Sequence, residues 1–534
     1  SFDDLLIRLR RSLEKAGGDE LSREVRKRYR AALIDEFQDT DPVQYAIFHH
    51  IFGKGGALLF LIGDPKQAIY SFRGADLFAY LKAAGRVDRR YTLDRNWRSE
   101  PGLIAAVNTV FGSRENAFLY REIPFEPAVA EEGGTPSFLT IRGKTESPLQ
   151  FWLVPSADGG LINKGEAEAL IPGAVAGEIS RLLRLGEKGE ALLGRRRPRE
   201  GDVAVLVRTN RQARLMQTAL GRLKIASVLY TTGNLFDTPE AQEVQRVLDW
   251  MVHPLQEGRI RAALATNLLG VTGENLERLT GDEAGWEEWL SRFREYYETG
   301  KRKGFIRMFR YFLLREKVRS RLLDLPNGER RLTNVLHLSE VLHQTAGEEK
   351  LGLNGLLKWL VRQRDPGSPR REEHQLRLES DAEAVKIVTI HKSKGLEYPI
   401  VFCPFNWESS KIKKGAFSFH DRRDDWRLNL VLDPKAGDFR ELVEWAEQEE
   451  LAENLRLLYV SLTRAKNRCT LIWGRFRDAE TSSLAYLLVP PGGAGEKIVQ
   501  EVGTHFQAKT DELLREDLNG LARKSKGMIR VTDL

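Results

Sequence analysis

The sequence predicts an α/β protein built on parallel sheets with a mainly helical insertion, and three observations predict it. Short apolar runs at 31–34 and 57–62 end in acids or in Gly63-Asp64-Pro65, and continuous runs of that length suit strands buried on both faces of a parallel sheet. Helical patterns at 77–84 and 102–111 lie between and after such runs, the alternation of an α/β layer. A long helical block is flanked on both sides by further strand patterns, which reads as an insertion into a second α/β domain.

The elements follow in order. Residues 2–30 read as helices with charged surfaces. The stretch 114–201 is less regular, with Gly-Gly and Pro punctuation and a strand near 150–154. Val203-Ala204-Val205-Leu206-Val207 is another buried-strand pattern. After Asp237 the pattern is helical for about 140 residues, as at 241–251, 305–314 and 332–343. Strand patterns return at 385–390, 399–403 and 469–473.

Composition narrows the class. The chain has 534 residues, 41% hydrophobic and 30% charged, as in a globular protein of two to four domains. No run approaches the roughly 18 apolar residues of a membrane span. The opening Ser1-Phe2-Asp3-Asp4 has no cationic region, so it does not read as a signal peptide. The two cysteines, Cys403 and Cys469, sit in apolar strand-like runs, which predicts buried, reduced thiols in a cytoplasmic protein rather than a disulfide or a metal site. A net charge of +7 and a pI of about 9.1 fit a nucleic-acid partner. Arg195-Arg196-Arg197 and Lys411-Ile412-Lys413-Lys414 are either phosphate contacts or solvated loops.

Chemistry concentrates at Asp35-Glu36, two acids at the carboxyl end of an apolar strand, the edge where open α/β sheets bind ligands. Such a pair suits nucleotide hydrolysis: one carboxylate holds Mg²⁺ and the other polarises the attacking water. The bland alternative is an acidic, solvated turn.

The longer strings decide between these. Leu33-Ile34-Asp35-Glu36-Phe37-Gln38-Asp39-Thr40 resembles the Walker B motif of the UvrD/RecB-type superfamily 1 DNA helicases. Gly63-Asp64-Pro65-Lys66-Gln67-Ala68-Ile69-Tyr70-Ser71-Phe72-Arg73-Gly74-Ala75 resembles their motif III, and Leu93-Asp94-Arg95-Asn96-Trp97-Arg98-Ser99 their motif IV. Val388-Thr389-Ile390-His391-Lys392-Ser393-Lys394-Gly395-Leu396-Glu397-Tyr398 is similar to motif V, and Leu455-Arg456-Leu457-Leu458-Tyr459-Val460-Ser461-Leu462-Thr463-Arg464-Ala465 to motif VI. All five stand in the family order. Residues 34–40, 392–399 and Gly328-Glu329-Arg330-Arg331-Leu332-Thr333 resemble the RecB branch most closely.

The resemblance implies RecA-like motor domains and a role for each matching residue. Asp35 is the Mg²⁺ ligand, Glu36 activates water, and Gln67 senses the γ-phosphate of ATP through a neutral amide. Arg98 and Arg464 are arginine fingers, suited by a permanent, forked charge. The spacing of Leu451, Leu455, Leu458 and Leu462 makes one helical face, with Arg464 near that helix's end. Glu397 binds the ribose, and Gly395 allows close backbone approach. Tyr70 and Phe72 stack on bases of single-stranded DNA, with Arg73 and His391 as further DNA contacts; stacking tolerates any sequence. Taken singly, each has a plainer reading, as a core aromatic, a surface ion pair or a turn residue. The Gly328–Thr333 string is a candidate duplex or strand contact.

By the same resemblance, 1–30 is the end of domain 1B, returning into 1A; 31–115 is the rest of RecA-like domain 1A; 116–240 and 383–480 form domain 2A; 241–382 is the helical 2B insertion; 481–534 is a C-terminal tail or the start of a linker. The implied activity is ATP-dependent 3′–5′ translocation on single-stranded DNA with duplex unwinding, in double-strand-break repair and recombination. RecC-like and RecD-like subunits are the implied partners, with no membrane.

One expected part is missing from the sequence. The phosphate loop G-x-x-x-x-G-K-[ST] occurs nowhere; Gly143-Lys144-Thr145 lacks the first glycine, with Phe138 in its place. The expectation is a piece of a helicase, without the loop or a nuclease domain, inactive as an ATPase alone. The alternatives are a non-catalytic scaffold that binds DNA or a partner, and a UvrD/PcrA- or AddA-type helicase. The intact types at Asp35, Glu36, Gln67, Arg98, Glu397 and Arg464 weigh against decay.

Overall fold

The computed structural model describes residues 2–53, 56–131, 138–156, 159–230, 234–254, 256–325, 328–365, 384–409, 412, 415–433, 439–489 and 497–534. The chain divides into two compact units, one of Ser1–Thr231 with Ala382–Leu534 and one of Thr232–Asp381.

The first unit opens with α1 (Phe2–Glu14), α2 (Gly18–Arg28), β1 (Ala31–Ile34), α3 (Pro42–Phe52) and β2 (Leu58–Leu61). Helix α3 starts sharply because the Asp41 carboxylate accepts from the Val43 and Gln44 amides and Pro42 follows it. Strands β1 and β2 pair in parallel, Leu33 opposite Phe60. Ala32 and Leu59 pack toward a small core of Leu13, Ile47, Ile51 and Phe52. The opposite face, with Leu33, Leu58, Phe60 and Ile62, is exposed. The expectation of burial on both faces therefore fails here: the sheet has two strands, and helices cover one side only.

The chain continues through α4 (Leu77–Ala84), β3 (Arg95–Asn96), α5 (Pro101–Phe111), β4 (Val129–Ala130), β5 (Leu139–Ile141), β6 (Lys144–Thr145), β7 (Leu149–Val154), α6 (Lys164–Glu187), β8 (Ala191–Leu193), β9 (Val203–Val207), α7 (Asn210–Arg222) and β10 (Ser227–Tyr230). Gly143, at φ 76°, turns the β5–β6 hairpin, so Gly143-Lys144-Thr145 belongs to a small antiparallel sheet. Arg196 is bidentate to Asp202 at 2.5 and 2.6 Å. Lys411, Lys413 and Lys414 lie outside the described residues.

The second unit is helical: α8 (Pro239–Val252), α9 (Glu257–Leu264), α10 (Gly273–Thr280), α11 (Glu283–Lys303), α12 (Phe305–Arg315), α13 (Val318–Leu323), α14 (Gly328–Glu348) and α15 (Leu353–Gln363). Its core is rich in aromatics, including Trp250, Phe293, Tyr296 and Phe309. The Gly328–Thr333 string opens α14. Asn334, just after it, donates to buried Glu240 at 3.0 Å, and Arg331 lies 3.9 Å from the same carboxylate. Arg331 is thus partly engaged by Glu240, with its side chain 29% exposed.

The chain returns with β11 (Val385–Thr389), α16 (Ile390–Ser393), β12 (Tyr398–Cys403), β13 (Phe417–Asp421), β14 (Arg427–Val431), α17 (Arg440–Leu462), β15 (Ala465–Gly474), α18 (Ser483–Leu488), α19 (Ile498–Gln507), α20 (Asp511–Lys524) and β16 (Ile529–Asp533). The large sheet runs β10-β11-β9-β12-β15-β7-β16, every pair parallel. Strands β9 and β7 are buried throughout, and the other inner strands almost so, as their β-branched and aliphatic runs require. Cys403 and Cys469 are free and buried on β12 and β15.

Two expected boundaries move. Residues 481–534 are not a tail: three helices lead into β16, which pairs with β7. Helix α5, expected with the first domain, packs into the core of the large sheet through Leu103, Ala106, Val110 and Phe111. Among the described residues, no helix is long and apolar enough to cross a membrane.

Candidate nucleotide and nucleic-acid site

The acidic pair sits where β1 ends. Asp35 and Glu36 are both exposed, and Glu36 has φ 50°, a left-handed conformation that costs a side-chain-bearing residue energy and tends to mark sites of function. The Asp35 carboxylate accepts from the Glu36 amide at 2.9 Å. Gln38 donates to Glu36 Oε2 at 2.5 Å, while its own oxygen accepts from the Asp64 amide. The end of β1 is thereby tied to the turn after β2, which carries Gln67. Gln67 donates to Asp64 Oδ2 at 3.1 Å.

Lys394 joins this group from the far end of the sequence. Its ammonium lies 2.6 Å from Asp39 Oδ2 and 3.2 Å from Glu36 Oε2, and donates to the Gln67 carbonyl at 3.0 Å. Its side chain is 5% exposed. Asp39 has its pKa raised by burial, although Lys394 pulls against that. Sequence reasoning passed over Lys394, one of three basic residues in a four-residue string.

The arginines approach from other elements. Arg98 Nε donates to Glu397 Oε2 at 3.2 Å, and its Nη1 donates to the Thr463 carbonyl at 3.4 Å. Arg464 is 1% exposed; it donates to the carbonyls of Val460 and Leu396 and to the Thr463 hydroxyl. Burial, and then the positive charge of Arg98, lower its pKa to about 10. Glu36 acts on it in the opposite sense, so Glu36 and Arg464 are within electrostatic reach of each other. Glu397 is held below the usual carboxylate range by Lys466 at 2.8 Å and by Arg98. Gly395, at φ 79°, supplies the turn that presents Glu397. Trp97, next to Arg98, is 80% exposed. Sequence analysis gave it no role.

A second cluster lies at Tyr70–Arg73. The Tyr70 hydroxyl donates to the His391 carbonyl at 2.8 Å, and burial raises its pKa. The Phe72 ring is 64% exposed and meets the His391 ring edge-on at 5.1 Å. Arg73 lies over both Tyr70 and Phe72. Burial lowers the His391 pKa, so the imidazole is neutral at pH 7. Its buried Nε2 has no hydrogen-bond partner. A cavity of about 290 Å³ opens beside it, lined by Arg208, Thr209, Ile390, Glu408, Ser409 and Leu457. The structure thus brings Tyr70, Phe72, Arg73 and His391 together, and Asp35, Glu36, Gln67, Arg98, Glu397 and Arg464 into a second group.

The acids at the end of β1, Arg98 after β3 and Arg464 just before β15 are carried by segments that the family comparison covers. The chain belongs to the UvrD-like helicases: the UvrD/REP helicase N-terminal domain matches residues 1–88, and the UvrD-like helicase C-terminal domain matches residues 91–475. Among curated proteins it is similar to the RecBCD enzyme subunit RecB of Escherichia coli (strain K12), 40% identical over 476 residues, 88% of this chain and 39% of that protein. The RecB subunit of Haemophilus influenzae is 37% identical over 525 residues, 96% of this chain and 41% of that protein. That of Mycobacterium tuberculosis (strain H37Rv) is 35% identical over 497 residues, 91% of this chain and 44% of that protein. The chain spans about two fifths of the length of these relatives.

Proposed function

We propose that this chain supplies most of the working surfaces of an ATP-driven motor on single-stranded DNA, in a RecB-type enzyme of double-strand-break repair and recombination. The single observation that carries the reading is that Lys394 reaches Glu36 at 3.2 Å and the Gln67 carbonyl at 3.0 Å, while Glu397, three residues further on, accepts from Arg98 at 3.2 Å. In this reading Asp35 holds Mg²⁺, which neutralises phosphate charge, and Glu36 orients water. Gln67 reads the γ-phosphate, and Arg98 and Arg464 stabilise charge on the transferred group. Glu397 takes the ribose, with Gly395 shaping the turn, and Trp97 offers a face for the base. Tyr70, Phe72, Arg73 and His391 form the strand-binding surface. Domains 1A, 2A and 2B take the expected parts, with α5 and β16 reassigned to 2A. Translocation runs 3′ to 5′, and RecC-like and RecD-like subunits complete the enzyme.

The 534 residues contain no G-x-x-x-x-G-K-[ST] loop, so the chain by itself is a poor ATPase. The test compares ATP hydrolysis by this chain with that of a polypeptide extended upstream through such a loop, each with and without single-stranded DNA. DNA-stimulated hydrolysis in the extended form alone, abolished by Glu36→Gln, supports the reading. Equal, Glu36-dependent hydrolysis by the short chain overturns the account of phosphate binding. Silence of both favours a DNA-binding scaffold.

A further inference from the structure

The β13–β14 hairpin, inserted between β12 and α17, has no part in the sites above. It nevertheless grips two elements that lead to them. Its base lies on α17: the His420 amide and Nδ1 meet the two carboxylate oxygens of Glu449 at 2.8 and 2.9 Å, Arg422 donates to Gln448 at 2.5 Å, and Phe417 and Phe419 pack with Trp445. Its tip lies on α4. Trp426 stacks on Phe78 with centroids 4.2 Å apart and planes 11° apart, Lys82 pairs with Asp425 at 2.9 Å, and His420 Nε2 lies 3.7 Å from Asp76, the N-cap of α4. Buried Tyr120 closes the cluster edge-on to Trp426 and Phe78.

The turn that makes this grip is strained. Asp425 and Trp426 have φ 48° and 58°, a left-handed conformation that is unfavourable outside glycine. A tryptophan held so implies that the stack on Phe78 is worth more than the relaxed turn. The two elements it joins are specific. Helix α4 begins four residues after Arg73, at the end of the strand-binding segment. Helix α17 ends at Leu462, two residues before Arg464, and its middle already touches the same segment, through Arg456 to the Ala68 carbonyl at 2.6 Å and Glu453 to the Ser71 hydroxyl at 2.6 Å.

We propose that the 417–431 hairpin is a coupling strap, which fastens α4 to α17 so that DNA engagement at Tyr70–Arg73 is transmitted to Arg464, with His420 as its positioning residue between Asp76 and Glu449. The inference rests on the motor reading. A loose strap leaves each site intact and separates their responses.

The first test is hydrogen exchange on this chain with a saturating oligo-dT. The expected result is slower exchange at 70–73 that extends to α4 and to 417–431, by about tenfold, and that His420→Ala confines to 70–73. Protection at 70–73 without any change in the hairpin overturns the strap and spares the motor reading; no protection anywhere overturns the DNA reading itself. The second test uses the polypeptide extended through the phosphate loop. His420→Ala is expected to lower the stimulation of ATPase by DNA about fivefold at unchanged basal rate and unchanged DNA affinity, with His420→Gln partly restoring it. A stimulation ratio kept within twofold, or a loss that follows thermal stability and basal rate together, overturns the strap.

Discussion

Lys394 lies 2.6 Å from Asp39 and 3.2 Å from Glu36, across 355 residues of sequence from the first. A cation fixed this close to Glu36 and Asp39 is thus supplied by the segment that also carries His391 and Glu397. An ammonium in this place does two things: it neutralises Asp39 in a half-buried setting, and it competes with any other cation for Glu36.

Lys394→Met is accordingly expected to destabilise the protein by about 2 kcal/mol near pH 7, since it leaves Asp39 without its partner. The sign with pH follows from Asp39. Its folded-state pKa is already raised, and loss of Lys394 raises it further. A raised carboxyl favours the folded state below the unfolded pKa and loses that contribution as pH rises through the folded pKa. The gap between variant and parent should therefore narrow as pH falls below neutrality, measured by urea unfolding across that range. A gap that widens on acidification would refute this assignment.

Glu100 predicts a separate alkaline effect. Burial raises its pKa to about 8, and Oε2 has no hydrogen-bond partner. It is protonated at pH 7, and its contribution is fully present below the usual carboxylate range and lost as pH rises through about 8. Glu100→Gln should melt like the parent at pH 6 and above it at pH 9. Parallel melting curves at both values would place Glu100 in contact with water.

Phe72→Ala should weaken binding of oligo-dT by about 1–3 kcal/mol with little change in melting temperature, because the ring is largely exposed. Fluorescence anisotropy at fixed salt reads the first and calorimetry the second. Tyr70→Phe removes the hydrogen bond to the His391 carbonyl and is expected to cost stability by about 1 kcal/mol while keeping the stacking face.

In the large sheet, Arg468 is 1% exposed and pairs with Glu178 at 2.9 Å. Burial opposes the Glu178 charge, but Arg181 and Arg468 hold its pKa below the usual range. Glu178→Gln leaves the buried guanidinium unpaired and should cost about 3–5 kcal/mol, read as a lower urea midpoint at unchanged slope. Acid should abolish the difference, since the depressed carboxyl loses its contribution as pH falls through its folded pKa.

Much of this was legible in the sequence where a local pattern carried it. The buried strand at 203–207 is a plain apolar run, that at 385–389 a mostly apolar one, and Leu451, Leu455, Leu458 and Leu462 of α17 are all buried. What escaped notice depends on distant partners. Lys394 looks solvated until Asp39 is beside it. Strand β16 reads as polar because it is a sheet edge, half-exposed along Arg530 and Asp533. The hairpin lacks the Asn-Gly signal of a tight turn; Asp425 and Trp426 take the left-handed positions instead. The exposed face of β1–β2 was unreadable too, since an apolar strand does not declare how many neighbours it has.

The strand order of the large sheet has a consequence for how the chain is made. Strand β7, wholly buried between β15 and β16, leaves the ribosome before either, and its first partner follows more than 300 residues later. The helical unit, built from neighbouring helices, can settle in the meantime, since local contacts form early. A newly synthesised chain therefore holds a bare, sticky strand while more than 300 further residues are added, and its yield should depend on chaperones that shield 149–154 until β15 arrives.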